Sequence, residues 1–323
     1  MKAMVRDTYG SPDKLELSDV DTPHVGPDDV LLRVHAAGVD QGAWHIVTGL
    51  PYPIRLAGFG LRRPKARVPG REVAGRVEAV GANVTRFKPG DEVFGVCDSA
   101  FAEYALAREK GLAPKPPNVT FEQAAIVPVS ACAALLGLRD RGEIAQGQRV
   151  LVIGAGGGVG TFAVQLAKHF GAHVTGVCST AKVDLVRSLG ADEVVDYTRE
   201  DFADGSHRYD LILDTGGHSP LKKLRRALTP RGTLVVVGSE TGGRWLGGSE
   251  RSLRAMLLSP FVGQRLRPLL SSERAEDLEL LRELIEAGKI TPAVDRTYPL
   301  GEVPEAIRYL RDGQARGKVA ITI

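Results

Sequence analysis

Seven residues, Gly154-Ala155-Gly156-Gly157-Gly158-Val159-Gly160, have the composition of a loop that holds phosphate. A turn without Cβ atoms lets backbone approach a pyrophosphate closely. A helix starting there adds free N–H groups and a partial positive charge. The strict Gly-x-Gly-x-x-Gly form is not met, because the register is Ala155-x-Gly157-x-x-Gly160. A glycine run alone is also what an ordinary turn contains, so the flanking elements carry the inference. Val150-Leu151-Val152-Ile153 comes before it and fits a strand buried on both faces. Val159, Phe162, Ala163, Leu166, Ala167 and Phe170 follow at helical spacing, and His173 to Val177 reads as the next strand. Strand, glycine turn, helix and strand make a dinucleotide cradle. Gly156, Gly157, Gly158, Val159 and Gly160 are its expected contacts.

The end of the second strand indicates which dinucleotide. A site for NAD usually places Asp or Glu there to hold the ribose 2′-OH. This chain has Cys178-Ser179-Thr180 and then Lys182, with no carboxylate before Asp184. The hydroxyls of Ser179 and Thr180 and the Lys182 ammonium suit a 2′-phosphate, which a carboxylate would repel. NADPH is therefore the expected cofactor. Ser179 and Thr180 also suit the cap of a helix beginning near Ala181.

The whole chain narrows the class. Its 323 residues, 43% hydrophobic and 25% charged, suggest a globular enzyme of two domains. A net charge of +3 is too small to argue for nucleic acid or an anionic membrane. No apolar run has membrane-spanning length, and the N-terminus lacks a signal-peptide core. Three widely spaced cysteines fit a reducing compartment, so the expected location is cytoplasmic.

Residues 1 to about 120 change to short strands and turns. Val30, Leu32, Val34 and Ala36 share one strand face. Val73 to Val80, the stretch through Phe94, and Phe101 to Ala105 read as further strands. Such punctuation suggests a compact β-barrel. Pro114-Lys115-Pro116-Pro117 reads as a linker. Ala124 to Leu138 reads as a helix, and Thr120 with Glu122-Gln123 as a capped helix start.

Several segments then resemble one family: Gly70-Arg71-Glu72-Val73-Ala74-Gly75, Pro89-Gly90-Asp91-Glu92-Val93, the glycine run, Leu189-Gly190-Ala191-Asp192, and Gly317-Lys318-Val319. The chain resembles zinc-independent members of the medium-chain dehydrogenase/reductase superfamily, close to the NADPH:quinone reductases. The resemblance implies an α/β fold, with a GroES-like β-barrel substrate domain and a Rossmann doubly wound parallel sheet. The expected bounds are 1–122 with 264–323 for the first, and 123–263 for the second. A homodimer is also implied.

The same resemblance assigns residues. Zinc members carry a catalytic Cys, His and Cys; the matching positions here are Asp40, Arg71 and the neighbourhood of Ser130. A guanidinium stays protonated and cannot ligate zinc, and no four-cysteine lobe exists, so no metal is expected. Asp40 stands where quinone reductases often have Asn, with helix capping as its other reading. Tyr52 falls near a tyrosine that lines the nicotinamide pocket, and is the candidate proton donor; aromatic packing is its alternative. Trp44 reads as core. Ser130 lies where related enzymes meet the nicotinamide. Tyr197 matches an aromatic that contacts the 2′-phosphate. Arg316 and Lys318 resemble basic residues that reach cofactor phosphates.

Two further strands, Tyr209 to Asp214 and Leu234 to Val237, end in Thr215-Gly216 and Gly238-Ser239. Ligands bind outside the carboxyl ends of parallel strands, so Thr215, Gly216, Val237, Gly238 and Ser239 are expected at the cofactor. The segment Pro51 to Val68 contains Arg55, Arg62, Arg63, Lys65 and Arg67. It reads either as a solvated loop or as a lid that helps select the substrate.

Without zinc, an isolated alcohol or ketone loses its main electrophile. Quinones and α,β-unsaturated carbonyls remain good hydride acceptors because negative charge spreads to oxygen. The expected activity is NADPH-dependent reduction of such small molecules. A zinc-free alcohol or ketone oxidoreductase is the alternative enzyme. A non-catalytic NADPH-binding structural or regulatory protein is the alternative of another class.

Overall fold

The computed structural model describes residues 1–238, 243–245 and 247–323. The chain begins with β1 (Lys2–Val5), β2 (Glu16–Asp19) and β3 (Asp29–Val39), then α1 (Gln41–Thr48). β4 (Glu72–Val80), β5 (Glu92–Asp98) and β6 (Tyr104–Pro114) follow, then α2 (Phe121–Ala125) and α3 (Pro128–Leu136). The middle of the chain alternates: β7 (Arg149–Ile153), α4 (Gly158–His169), β8 (His173–Cys178), α5 (Val183–Ser188), β9 (Glu193–Asp196), β10 (Tyr209–Asp214), α6 (Leu221–Ala227), β11 (Leu228–Val236), α7 (Ser249–Leu258) and β12 (Arg265–Pro268). The chain ends with α8 (Ala275–Glu286), β13 (Val294–Pro299), α9 (Val303–Arg311) and β14 (Lys318–Thr322).

Contacts divide these elements into two units, residues 1–129, 273–288 and 292–323 in one and 130–272 with 289–291 in the other. The first is a barrel. Its sheet runs β13-β14-β3-β4-β5-β6, and β3 also pairs with β6. That closure needs a long strand. The start of β3 pairs with β6 (Leu31 opposite Leu106), while its end pairs with β14 (Val39 opposite Val319). Pairing of β3 with β6 closes β3, β4, β5 and β6 on themselves, while β14 and β13 extend the sheet from the end of β3. Val30, Leu32 and Val34 face the barrel core as their alternation requires, but an irregularity between Val34 and Ala36 shifts the core face to Ala37 and Val39, so Ala36 is buried on the other side.

The second unit holds a sheet in the order β12-β11-β10-β7-β8-β9, with every pairing parallel. Val150, Leu151, Val152 and Ile153 are buried, which is why that strand is apolar at consecutive positions. α4 is buried at every position from Gly160 to Ala167, Phe162, Ala163, Leu166 and Ala167 included.

Some expectations are corrected. The helix expected over Ala124–Leu138 is interrupted: α2 ends at Ala125, and α3 restarts at Pro128. Proline lacks an N–H and disfavours helical geometry in the residue before it, so it begins a helix more readily than it continues one. The Thr120–Gln123 capping box does form. The strand expected over Phe101–Ala105 starts at Tyr104 and runs on to Pro114. Residues 264–272 belong with the second unit, because β12 adds a sixth strand to the parallel sheet. The guanidinium groups of Arg265 and Arg267 on this strand both pair with Glu143.

Candidate functional site

In the parallel sheet the strands run outward from β7 through β8 to β9, and then from β10 through β11 to β12 on the other side. Ligands of doubly wound sheets bind at the carboxyl ends of the two strands where that order reverses. The glycine run leaves β7 at this point. Gly157 is the extended N-cap of α4, and no side chain caps the helix. The amides of Gly158, Val159 and Gly160 therefore precede the first intrahelical acceptor and face outward as donors. Gly160 sets the fit of the turn: a methyl there would fall 2.1 Å from the Gly154 oxygen and 2.7 Å from the Ala155 Cα. This cradle suits a pyrophosphate. Thr215, which follows β10, donates its hydroxyl to the Ile153 carbonyl at 2.7 Å and ties the two strand ends together. Gly216 packs against Ile153 beside it. The Val237 amide donates to the Asp214 carbonyl at 3.0 Å, and the space around Gly238 is open. Ser239 lies outside the described residues.

At the end of β8, Lys182 lies across the glycine turn: a methyl on Gly156 would sit 2.7 Å from the Lys182 Cβ. Ser179 precedes a single turn, Thr180–Lys182, without donating or accepting a capping bond through its side chain. Thr180 is engaged elsewhere. Its hydroxyl donates to Asp196, which also accepts from the Thr198 amide at 3.0 Å and the Thr198 hydroxyl at 2.7 Å. Asp196 sits opposite Cys178 in the β8–β9 register. A carboxylate thus stands at this edge after all, supplied by the neighbouring strand. It is 7% exposed, and the hydrogen bond from Thr180, with those from Thr198, holds it below the usual carboxylate range. Its oxygens accept from these neighbouring donors. Tyr197, the next residue, is 61% exposed.

Deeper in the same unit, Asp214 is fully buried, accepts from the Gly217 amide at 3.2 Å, and pairs with Arg251. That pair was not legible along the sequence, since it joins the end of β10 to the first turn of α7.

In the barrel unit, Asp40 caps α1: its carboxylate accepts from the Ala43 amide at 2.8 Å. Arg71 donates to Glu273 at 2.9 Å. Trp44 packs against the barrel core with the Arg311 guanidinium 4.1 Å from its ring. Tyr52 is half-buried, and Arg55 lies over its ring at 4.9 Å. Arg316 is exposed, and its amide donates to Asp295 at 3.0 Å. Ser130, near the start of α3, belongs to the second unit and is 3% exposed.

Lys318 requires a correction. Instead of reaching out toward a phosphate, it is 1% exposed, and its ammonium donates to the Glu72 carboxyl. The other Glu72 oxygen accepts from the Val129 amide at 3.0 Å, at the start of α3. Burial raises the Glu72 carboxyl to about 7, with Lys318 opposing and Asp40 reinforcing the shift. Val319 and Ile321 fill the barrel core, so alternation puts Lys318 on the other face of that strand, which is buried with Glu72 against α2.

The donor set at the positions that match zinc ligands does not suit zinc. Asp40 is turned onto a helix amide and Arg71 is a cation. Among the described residues, no three His, Cys, Asp or Glu side chains gather as a metal site would need.

Comparison with known proteins decides the family. Residues 26–135 match the alcohol dehydrogenase GroES-like domain, and residues 189–321 match the zinc-binding dehydrogenase family. A 2-methylene-furan-3-one reductase of Solanum lycopersicum is 34% identical over 99% of this chain and 79% of its own length. The chain belongs to the medium-chain dehydrogenase/reductase family. Within it, the quinone-oxidoreductase-like branch is the one it joins. An NADPH-dependent alkenal/one oxidoreductase of Arabidopsis thaliana is 35% identical over 99% of the chain and 79% of its own length. The solved quinone oxidoreductase of Coxiella burnetii superposes with a TM-score of 0.85 at 28% identity, covering 100% of this chain and 99% of its own. The barrel unit of this medium-chain reductase is thus the GroES-like domain, and the parallel-sheet unit is its Rossmann domain. Its chemistry is that of a nicotinamide-dependent oxidoreductase acting on small molecules. No helix among the described residues is long and apolar enough to cross a membrane.

Proposed function

We propose that this chain is an NADPH-dependent reductase that delivers hydride to a quinone or an α,β-unsaturated carbonyl without zinc. The observation that carries the reading is the fate of the two positions matching zinc ligands: Asp40 caps a helix and Arg71 pairs with Glu273. With no Lewis acid, an acceptor must disperse charge through its own conjugation. A dinucleotide held by its pyrophosphate at the glycine cradle would supply the hydride. The protein's part is to bind, orient and exclude water. The amides of Gly158, Val159 and Gly160 hold the pyrophosphate. Lys182, Ser179 and Tyr197 serve the 2′-phosphate, and the NADPH dependence in the alkenal/one relative's name supports that choice. Tyr52 donates a proton to the substrate oxygen as negative charge develops there. Lys318 has no part in this reading.

The three cysteines are buried and form no disulfide, in keeping with a cytoplasmic, reducing location. A homodimer is proposed on the family resemblance, and light scattering tests it.

The deciding experiment is anaerobic NADPH oxidation with a quinone, an enone and a simple ketone, alongside metal analysis of the purified protein. Turnover of the quinone or enone by metal-free protein is expected. Turnover of the ketone alone overturns the proposal in favour of an alcohol or ketone oxidoreductase. Tight NADPH binding with no turnover favours a binding protein.

A further inference from the structure

Four side chains of the barrel unit stack in alternation: Arg6, Tyr9, Arg55 and Tyr52. The Arg6 guanidinium lies 5.3 Å from the centre of the Tyr9 ring. Arg55 covers the same ring at 4.5 Å and the Tyr52 ring at 4.9 Å. The column is anchored at its inner end, where Arg6 is 4% exposed and donates to the Val47 carbonyl at 3.0 Å. Arg55 is fixed by a second kind of bond, from its Nε to the Gly49 carbonyl at 2.8 Å.

The backbone is shaped to the column. Gly49 has φ of +63°, and a methyl there would fall 2.5 Å from a Tyr9 ring carbon and 2.8 Å from the Arg55 Nε. The Tyr9 hydroxyl closes the other side. It lies 2.6 Å from the Phe59 carbonyl and 2.7 Å from that of Gly60, with one proton shared between them. Burial pushes the Tyr9 phenol up, so this donor stays protonated. One clamp therefore holds both ends of the turn Arg55–Phe59 that follows Tyr52.

We propose that Arg55 is a positioning residue for Tyr52, fixing the phenol through a stack anchored on Arg6 and Tyr9. This rests on the reading of Tyr52 as proton donor. Only a planar cation can lie over two rings at once while donating in its own plane to a carbonyl. An ammonium keeps the charge but not the geometry. The basic segment from residue 51 to 68 is thereby given a structural centre: Arg55 faces inward, while Arg62, Arg63 and Lys65 are exposed.

The test is a double-mutant cycle of Tyr52→Phe and Arg55→Ala, with kcat and KM measured on the quinone or enone turned over. Arg55→Ala is expected to lower kcat about tenfold with KM for NADPH unchanged, as a misplaced reacting group does. Arg55→Lys is expected not to restore it. In the Tyr52→Phe background, Arg55→Ala is expected to cost less than about twofold more, because coupled residues are not additive. An equal loss in both backgrounds overturns the proposal while leaving Tyr52 as donor. Unchanged kcat in Arg55→Ala does the same. Full turnover by Tyr52→Phe overturns the donor role and this proposal with it. Arg55→Met, which keeps the aliphatic stem, takes the place of the alanine variant if that one fails to fold.

Discussion

Lys318 and Glu72, 246 positions apart in the chain, form a buried ion pair with side chains 2% and 1% exposed, on the sheet face opposite the core residues Val319 and Val73. The pair joins β14 to β4, and through the Val129 amide it holds the start of α3. A buried charge without its partner is costly, because desolvation is no longer offset by attraction.

Lys318→Met should therefore destabilise the protein by about 3–5 kcal/mol near pH 8. Urea denaturation measures this. Glu72→Leu combined with Lys318→Met should recover part of the loss, since no charge is left stranded. Recovery stays incomplete because the Val129 amide has lost its acceptor.

The same carboxyl predicts a pH dependence. Burial raises Glu72 from 4.5 to about 7 against the pull of Lys318. Between those values the folded chain holds a proton that the unfolded chain has released. The resulting stabilisation is complete below 4.5 and is lost as pH rises through about 7. Its size is on the order of 3 kcal/mol. Glu72→Gln should flatten this fall, and unfolding free energies compared at about pH 5 and about pH 8 give the result. An identical slope in wild type and variant would refute it.

Gly160→Ala should lower NADPH affinity at least about tenfold, because the turn must open to admit the methyl. Isothermal titration measures the affinity directly. The rise in melting temperature that NADPH gives the wild type should shrink in parallel.

Lys182→Ala should raise KM for NADPH by about 10–100-fold and change KM for NADH little, as expected for a charge-assisted contact to phosphate. An unchanged NADPH/NADH preference would mean that the 2′-phosphate is held by other groups at this edge.

Local pattern determined a good deal. The apolar run Val150–Ile153, the glycines after it and the spacing in α4 established the βαβ unit, because these are contacts between near neighbours in sequence. The alternation of Val30, Leu32 and Val34 established the strand that the barrel closes around.

What sequence could not supply was pairing between distant side chains. Asp196 reaches Thr180 only because β9 lies beside β8, so scanning along β8 for an acid missed it. Lys318 reads as a basic residue near the end of the chain, and only the pairing of β14 with β3 places it against Glu72. Arg55 looks like one cation among five until Tyr9, from a different part of the chain, lies beneath it. Charge and hydrogen-bond partners depend on which strands become neighbours, and that is a property of the closed barrel and the wound sheet rather than of any local stretch.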